Sequence, residues 1–446
     1  MILSISVCVT ALAALIWIMR RDPVSLGLPV AYLISLLLIH VPGAYAQALG
    51  DGILADAEVT EKGIFFTAIG AVCFLGGVML SRLSPNGGIP FATDRSSPLT
   101  QSGNSFAQFC LIGGWIFTYG LSPLGQIPSL GAAVDKGGGI WMLGVIVGLR
   151  AAVRHRSLLR AGVWLGALLV YPVLMLLLGG FLSYGAGTSI IVGSALIISA
   201  RSYTRVAIGL ALTTYLGLTM FVNYFESRDA IRDQVWGGRP LEQRVDTVLG
   251  VASNFHWFDS SDPLDLRALD ERLNQNFFVG LAAERIESGQ VDHLYGRSIW
   301  EALQAFVPRA IWPEKPVLAG SPRIVAEMTG LVLSETSSFG VGNVMEFQIN
   351  FGIGGVVGGF LLLGWMIGML DRKAALAERR GELDRVVLFF LPAVALIQPG
   401  GSMVEMAGGA ASAILAARGW KWTWSRWARR ARLPANVHSR TLRRSL

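Results

Sequence analysis

Residues 2–21 read ILSISVCVTALAALIWIMRR, an uncharged apolar run closed by the pair Arg20-Arg21. At about 1.5 Å of rise per residue the run is roughly 27 Å long, close to the roughly 30 Å hydrocarbon core of a bilayer. A secretory leader carries its basic residues ahead of the apolar stretch, so the order found here predicts a first spanning helix with its N-terminus outside. Outward from it, similar runs recur at about 24–42, 63–81, 105–124, 138–153, 161–180, 187–200, 206–224, 340–370, 386–398 and 402–417, each bounded by charges, Pro or Gly. The expectation is an all-α polytopic membrane protein with about eleven transmembrane helices.

Composition agrees. Apolar residues make up 52% of the chain and charged ones 15%, and the mean hydropathy is +0.52, which excludes an ordinary soluble domain. The net charge of +7 would raise nucleic-acid binding in a soluble protein. Here Arg20-Arg21, Arg82/Arg95, Arg150/Arg154/Arg156/Arg160, Arg201/Arg205 and Arg372/Lys373/Arg379/Arg380 sit in short loops beside apolar runs, the positive-inside pattern, so no nucleic-acid partner is expected. Alternating sides from Arg20-Arg21 puts the C-terminus in the cytoplasm. The spans at 386–398 and 402–417 are short and joined by Gln398-Pro399-Gly400-Gly401-Ser402, so they are tilted or form a re-entrant hairpin. The tail carries Trp420, Trp422, Trp424 and Trp427 among Lys421, Arg426, Arg429 and Arg430, the composition of an anchor on anionic lipid. Cys8, Cys73 and Cys110 all fall in apolar runs and offer neither a disulfide framework nor a thiolate metal site.

One block has the opposite charge sign. Between Glu226 and Phe339 there are seventeen Asp/Glu against eleven Lys/Arg, whereas the rest of the chain has thirteen against twenty-six. The same parity places this block outside the membrane, giving four parts: a bundle of about eight spans at 1–224, a large helical periplasmic loop domain at 225–339, about three further spans at 340–417, and a basic tail at 418–446. Within the block, Arg297 to Val307 spaces Ile299, Leu303, Phe306 and Val307 on one helical face and Arg297, Glu301 and Gln304 on another. Pro308 ends that helix. Pro313, Pro316 and Pro322 stiffen the next stretch of chain, so that Arg309, Lys315 and Arg323 project from a restrained backbone. Fixed cations of this kind can neutralise a diphosphate without a metal ion. The competing reading is that they pair with the acidic excess, as Arg297 would with Glu301 one turn later.

The motifs Tyr295-Gly296-Arg297-Ser298, Val307-Pro308-Arg309, Trp312-Pro313, Lys315-Pro316, Glu346-Phe347, Asn350-Phe351-Gly352 and Gly355, with Arg272-Leu273 ahead of them, resemble the O-antigen polymerase (Wzy) family of oligosaccharide repeat-unit polymerases. The resemblance implies a glycosyltransferase-C-like membrane enzyme of the bacterial inner membrane. Its substrates would be undecaprenyl-diphosphate-linked oligosaccharides, joined at the periplasmic face, and its partner a co-polymerase that regulates chain length. Arg309 and Gly320 fit an Arg-to-Gly spacing that some members show. A second Arg that members often place in an earlier outer loop is missing from residues 181–188, which leaves Arg228, Arg232, Arg239 or Arg272 to supply that charge.

A sugar hydroxyl must be deprotonated during transfer, for which His256, His293, Glu301, Glu346 and Glu405 are candidates. Glu346 and Glu405 stand in apolar context, where an ionisable group is costly and tends to be functional. The catalytic candidates are therefore Arg309, Lys315, Glu346 and His293. Arg272, Arg297, Arg323, Trp312 and Asn350 are the candidates for holding diphosphate and glycan. No metal and no cofactor is expected. Three other readings share the pattern: an O-antigen ligase; a metal-dependent transferase using Asp56-Ala57-Glu58; and a transporter, disfavoured because polar residues concentrate in one outer block, with Gly352, Gly354, Gly355, Gly358 and Gly359 explained by close helix packing.

Overall fold

The computed structural model describes residues 1–22, 24–49, 56–83, 99–121, 123–124, 127, 130–180, 182–200, 202–253, 255–307, 311–312, 314, 321–332 and 340–432. Among them every regular element is helical: α1 (Ile2–Arg21), α2 (Leu28–Leu38), α3 (Val41–Leu49), α4 (Ala57–Leu83), α5 (Leu99–Trp115), α6 (Leu130–Gly138), α7 (Ile140–Arg154), α8 (Leu158–Gly179), α9 (Leu182–Ser199), α10 (Tyr203–Trp236), α11 (Leu241–Ser253), α12 (Pro263–Leu273), α13 (Gln275–Glu287), α14 (Arg297–Ala305), α15 (Ser321–Thr329), α16 (Asn343–Arg379), α17 (Leu383–Ala395) and α18 (Met403–Arg432). Seven described segments are long and apolar enough to cross a membrane: α1, the bent pair α2–α3, α4, residues 130–153 of α6–α7, α8, α10 and α16. The chain is an all-helical membrane protein. Residues 185–199 of α9 form a shorter apolar helix.

Polar contacts collect at one end of the bundle. Arg82 at the end of α4 pairs with Asp22 after α1, Arg20 donates to the carbonyl of Ala200 after α9 at 2.7 Å, and Arg150 of α7 pairs with Glu378 of α16 at 2.9 Å. Arg372 donates to the carbonyls of Ser81 and Arg82. The buried carboxylate of Asp371 accepts from the backbone N–H groups of Leu26 and Leu28 at 2.9 and 3.2 Å, closing the start of α2. Four basic clusters singled out from sequence thus lie on one side of the bundle. Helix packing there follows small residues: α4 and α16 run parallel, with Gly70 against Phe360, Gly77 against Leu361 and Gly368 against Ser81.

The run at 340–370 reads as one span but folds otherwise. Phe351 (φ −143°, ψ 24°) and Gly352 (φ 58°, ψ −142°) break α16, and the chain reverses there. The proof is contact between residues eight and twelve apart: a Cβ on Gly355 would sit 2.1 Å from the Phe347 carbonyl oxygen, and one on Gly359 would strike the Phe347 ring. In a straight helix residues 347 and 355 are about 12 Å apart. α16 is therefore a hairpin, with arm 343–350 folded against arm 353–379. Gly355 and Gly359 make room for the helix's own first arm, whereas Cβ atoms on Gly354 and Gly358 would meet nothing within 4 Å. Measured down the second arm, the turn stands about 27 Å from Asp371, the far end of the bundle from the basic clusters.

Three further expectations change. α10 runs unbroken through residue 224, so the acidic block begins as a continuation of a spanning helix. On α14 the buried side chains are Ser298 and Ala302, while Leu303 and Phe306 are exposed. In the tail, Trp420 and Trp424 are buried and pack on Phe106 and Phe109 of α5. Trp422 and Trp427 are exposed, but Trp427 also stacks on Phe109 at 5.2 Å, because α18 continues as one helix to Arg432 and lays one face on α5.

Candidate functional site

The α16 turn is where residues 293–298 of the acidic block dock. Breaking a helix frees carbonyls that would have met N–H groups four residues on, and these need new donors. Leu294 N–H donates to the Ile349 carbonyl at 2.8 Å, and His293 Nδ1 lies 3.2 Å from the same oxygen. Asn350, fully buried, completes the seam: its Oδ1 accepts Gly296 N–H at 2.9 Å, and its Nδ2 donates to Ser298 Oγ at 2.8 Å and to the Glu346 carbonyl at 2.6 Å. Gly296 (φ 89°) starts α14 and faces Phe351, where a Cβ would come within 3.2 Å of the ring. Asn350 is thus a brace with its amide fully engaged. Because a carbonyl can only accept, His293 donates from Nδ1, and its Nε2 faces the turn beside Gly352.

Glu346 lies one turn up the first arm with no exposed surface. Its Oε2 accepts the backbone N–H of Met403 at 2.7 Å, at the start of α18. A helix N-terminus is a favourable place for a carboxylate, through both the unpaired N–H groups and the helix dipole. Ser298 lies beside the same group, and Glu301 of α14 and Glu405 of α18 are near enough for their charges to act on it. Glu405 itself closes a capping box: Ser402 N–H donates to its Oε2 at 3.0 Å, and Glu405 N–H to Ser402 Oγ at 3.2 Å. Asn343 ties the first arm to its surroundings, donating from its backbone to Pro399 O and accepting Tyr32 Oη–H at 2.7 Å. The turn at 397–402 between α17 and α18 therefore packs inside protein against the α16 hairpin.

The remaining expected residues stand elsewhere. Arg297 Nη2 bonds both oxygens of Glu327 on α15, at 2.8 and 2.7 Å; its partner is this residue and not Glu301. Since α14 begins at Arg297, after Tyr295 and Gly296 in left-handed conformation, His293 shares no helical face with it. Arg323 is exposed on α15 and Trp312 is 38% exposed. Arg309 and Lys315 lie outside the described residues, as do Pro308, Pro313, Pro316 and Gly320. Arg272 ends α12 and faces Arg228 and Arg232 of α10. His256 belongs to a strap along α10, its Nε2 3.1 Å from Asp265 Oδ1.

The expectation thus resolves into two places. His293, Glu346 and Asn350 meet at the hairpin; Arg272 sits apart with other arginines. Sequence reasoning passed over Ser298, which looks like an ordinary helix residue, and the Ser402-x-x-Glu405 capping box, whose spacing was legible. Comparison of the chain with family models, with curated proteins and with solved structures gives no match in any of the three.

Proposed function

We propose that the chain is a membrane glycosyltransferase that polymerises oligosaccharide repeats, moving a growing glycan from its undecaprenyl diphosphate carrier onto the next lipid-linked repeat unit. The observation that carries the reading is an imidazole whose Nδ1 meets the Ile349 carbonyl and a buried carboxylate, Glu346, one turn away on the same arm of the α16 hairpin, at the bundle end away from the basic clusters. Outside the cytoplasm there is no nucleotide sugar, so the donor arrives activated on lipid and the departing diphosphate drives the transfer. His293 Nε2 takes the acceptor hydroxyl's proton. Glu346 holds negative charge behind it, favouring the imidazolium once formed. Arg309 and Lys315 neutralise the leaving diphosphate, with Arg297, Arg323 and Trp312 along the glycan path and Asn350 as the brace. In this reading the chain crosses the bacterial inner membrane eleven times, with its N-terminus and residues 225–339 in the periplasm, its C-terminus in the cytoplasm, and a chain-length-regulating co-polymerase as partner.

A second reading draws on the hairpin itself. A broken helix bearing buried Asn343, Glu346, Gln348 and Asn350 is a feature of transporters, which coordinate cargo where helices are interrupted. The turn's position about 27 Å from Asp371 favours chemistry near the bilayer surface over a midplane carrier.

Deletion of the gene and complementation with wild type, His293→Gln, Arg309→Ala or Lys315→Ala, at matched protein level, tests both. Loss of long glycan with single repeats retained supports the polymerase. Polymer that accumulates on its lipid carrier without reaching a final acceptor indicates a ligase. Unchanged glycan in all variants removes the transferase reading, and movement of labelled lipid-linked oligosaccharide across vesicles by the purified protein establishes the transporter.

A further inference from the structure

The spacing of Leu303 and Phe306 predicts a buried stripe on α14, yet both are exposed together with Trp300: 63% for Trp300, 61% for Leu303 and 48% for Phe306. The three recur at i, i+3 and i+6, an apolar stripe on a helix whose other face, Ser298 and Ala302, is buried. In water such a stripe is a liability. What covers it follows from where α14 lies.

α14 starts at the α16 turn, where Asn350 holds Ser298, and it packs chiefly on α18. The two helices start level with each other, because Asn350 Nδ2 also meets the Glu346 carbonyl and the Glu346 carboxylate caps Met403. The far end of α14 stands beside Gly408, where a Cβ would lie 3.9 Å from the Ala305 carbonyl oxygen. From residue 298 to 305, α14 therefore runs alongside residues 403 to 408 of α18 in the same direction.

Two distances along helices give its depth. Lys421 of α18 pairs at 3.5 Å with Asp384 in the first turn of α17, which follows the basic end of α16. Back along α18, Gly408 is at most about 20 Å from Lys421. The neighbouring Gly409 faces Lys136 of α6, whose Cε is 3.3 Å from an added Cβ. Lys136 is at most about 21 Å along α6–α7 from Arg150, which pairs with Glu378 at the same basic end. Bilayer hydrocarbon is roughly 30 Å thick. With the basic clusters at one surface, the end of α14 lies at least about 10 Å inside the other.

α14 suits that position. The N–H groups of Phe306 and Val307 close onto the Leu303 and Gln304 carbonyls at 3.3 and 3.1 Å, pairing backbone polar groups as hydrocarbon demands. Arg297 stays at the shallow end with Glu327, and Glu301 turns its Oε2 into the protein. The stripe is also continuous with the bare surface of a spanning helix. Gly296, one turn before Trp300, faces Phe351, and exposed Phe351, Ile353 and Leu362 extend that surface down the second arm of α16.

We propose that α14 is a membrane-embedded helix of the acidic block, with Trp300, Leu303 and Phe306 seated among the acyl chains of the leaflet farther from the basic clusters. The seat stands whether or not the chain transfers glycan.

The test uses the wild-type chain, purified and placed in phosphatidylcholine nanodiscs. A fraction of the lipid carries a photoreactive diazirine at mid-chain, and tryptic peptides 286–297 and 298–309 are compared by mass spectrometry after illumination. Lipid adducts on 298–309 are expected at about five times the level on 286–297 or more, because the latter precedes the descent. Hydroxyl-radical oxidation of Trp300 should run about fivefold slower in the disc than in the unfolded protein. Oxidation in the disc as fast as in the unfolded chain would put the stripe in water and overturn the seat. Slow oxidation without lipid adducts would overturn it by showing a second copy of the chain over the stripe. Equal adducts on the two peptides would overturn it as well, since α14 would then lie no deeper than the segment before it.

Discussion

The Glu346 carboxylate accepts the backbone N–H of Met403 at 2.7 Å, so a residue on one arm of a helical hairpin caps the start of a different helix. That bond joins α16 to α18 where neither has an intrahelical partner to offer. Charge and hydrogen bonding can be separated here. Glu346→Gln retains an acceptor for Met403 and should leave the melting temperature of the purified protein nearly unchanged while abolishing long glycan. Glu346→Ala takes the acceptor from the part-buried Met403 N–H and should destabilise by about 1 kcal/mol.

The hairpin turn makes a steric prediction. Gly355→Val places a Cβ against the Phe347 carbonyl at 2.1 Å, a backbone atom that cannot rotate away, so the arms cannot close and folded protein should be lost from size-exclusion profiles. Gly352→Val forces a β-branched residue to φ 58°, ψ −142° and should cost about 1–3 kcal/mol. Gly354→Ala meets nothing within 4 Å and should be silent or slightly stabilising. A silent Gly355→Val would disprove the reversal of α16.

Asp371 is the equivalent test at the other end of the bundle. Its carboxylate closes α2 through Leu26 and Leu28 N–H groups. Asp371→Ala should lower stability by about 1–2 kcal/mol, as loss of a cap does. Asp371→Asn, which keeps an acceptor oxygen, should recover part of that in thermal unfolding.

The strap on α10 should respond to pH. Its hydrogen bond to Asp265, with the charge of that carboxylate, raises the His256 pKa above 6.5. A folded-state pKa above the unfolded one means that the contact's contribution is complete below pH 6.5 and fades as pH climbs through the higher folded value. Amide exchange at residues 255–262 should therefore quicken over that window, beyond the intrinsic rise with pH. Asp265→Asn should flatten the response; an unchanged profile in that variant would show that the pair is idle.

Much of the molecule was readable in advance because spanning helices declare themselves through length and hydropathy. The run 2–19 became α1 and 63–81 became α4, and Arg20, Arg82, Arg150 and Arg372 gathered at one end as charge patterning required. The helix beginning at Arg297 was anticipated; its buried face was not, since Ser298 and Ala302 turn inward only because Asn350 and α18 are there to receive them. Three of the four tail tryptophans, Trp420, Trp424 and Trp427, went to the α5 interface for the same reason: exposure is a property of neighbours.

By itself the amino-acid order determined that this chain is helical, crosses a membrane, and keeps its basic loops together, since each follows from local composition and from the cost of placing charge or unpaired backbone in hydrocarbon. Only the tertiary structure decided that 340–370 reverses at Gly352, and that His293 reaches the Ile349 carbonyl and Gly296 the Asn350 amide across some fifty residues. Those depend on carbonyls, carboxylates and cations finding partners distant in sequence, and no periodicity along the chain records which partner each will find.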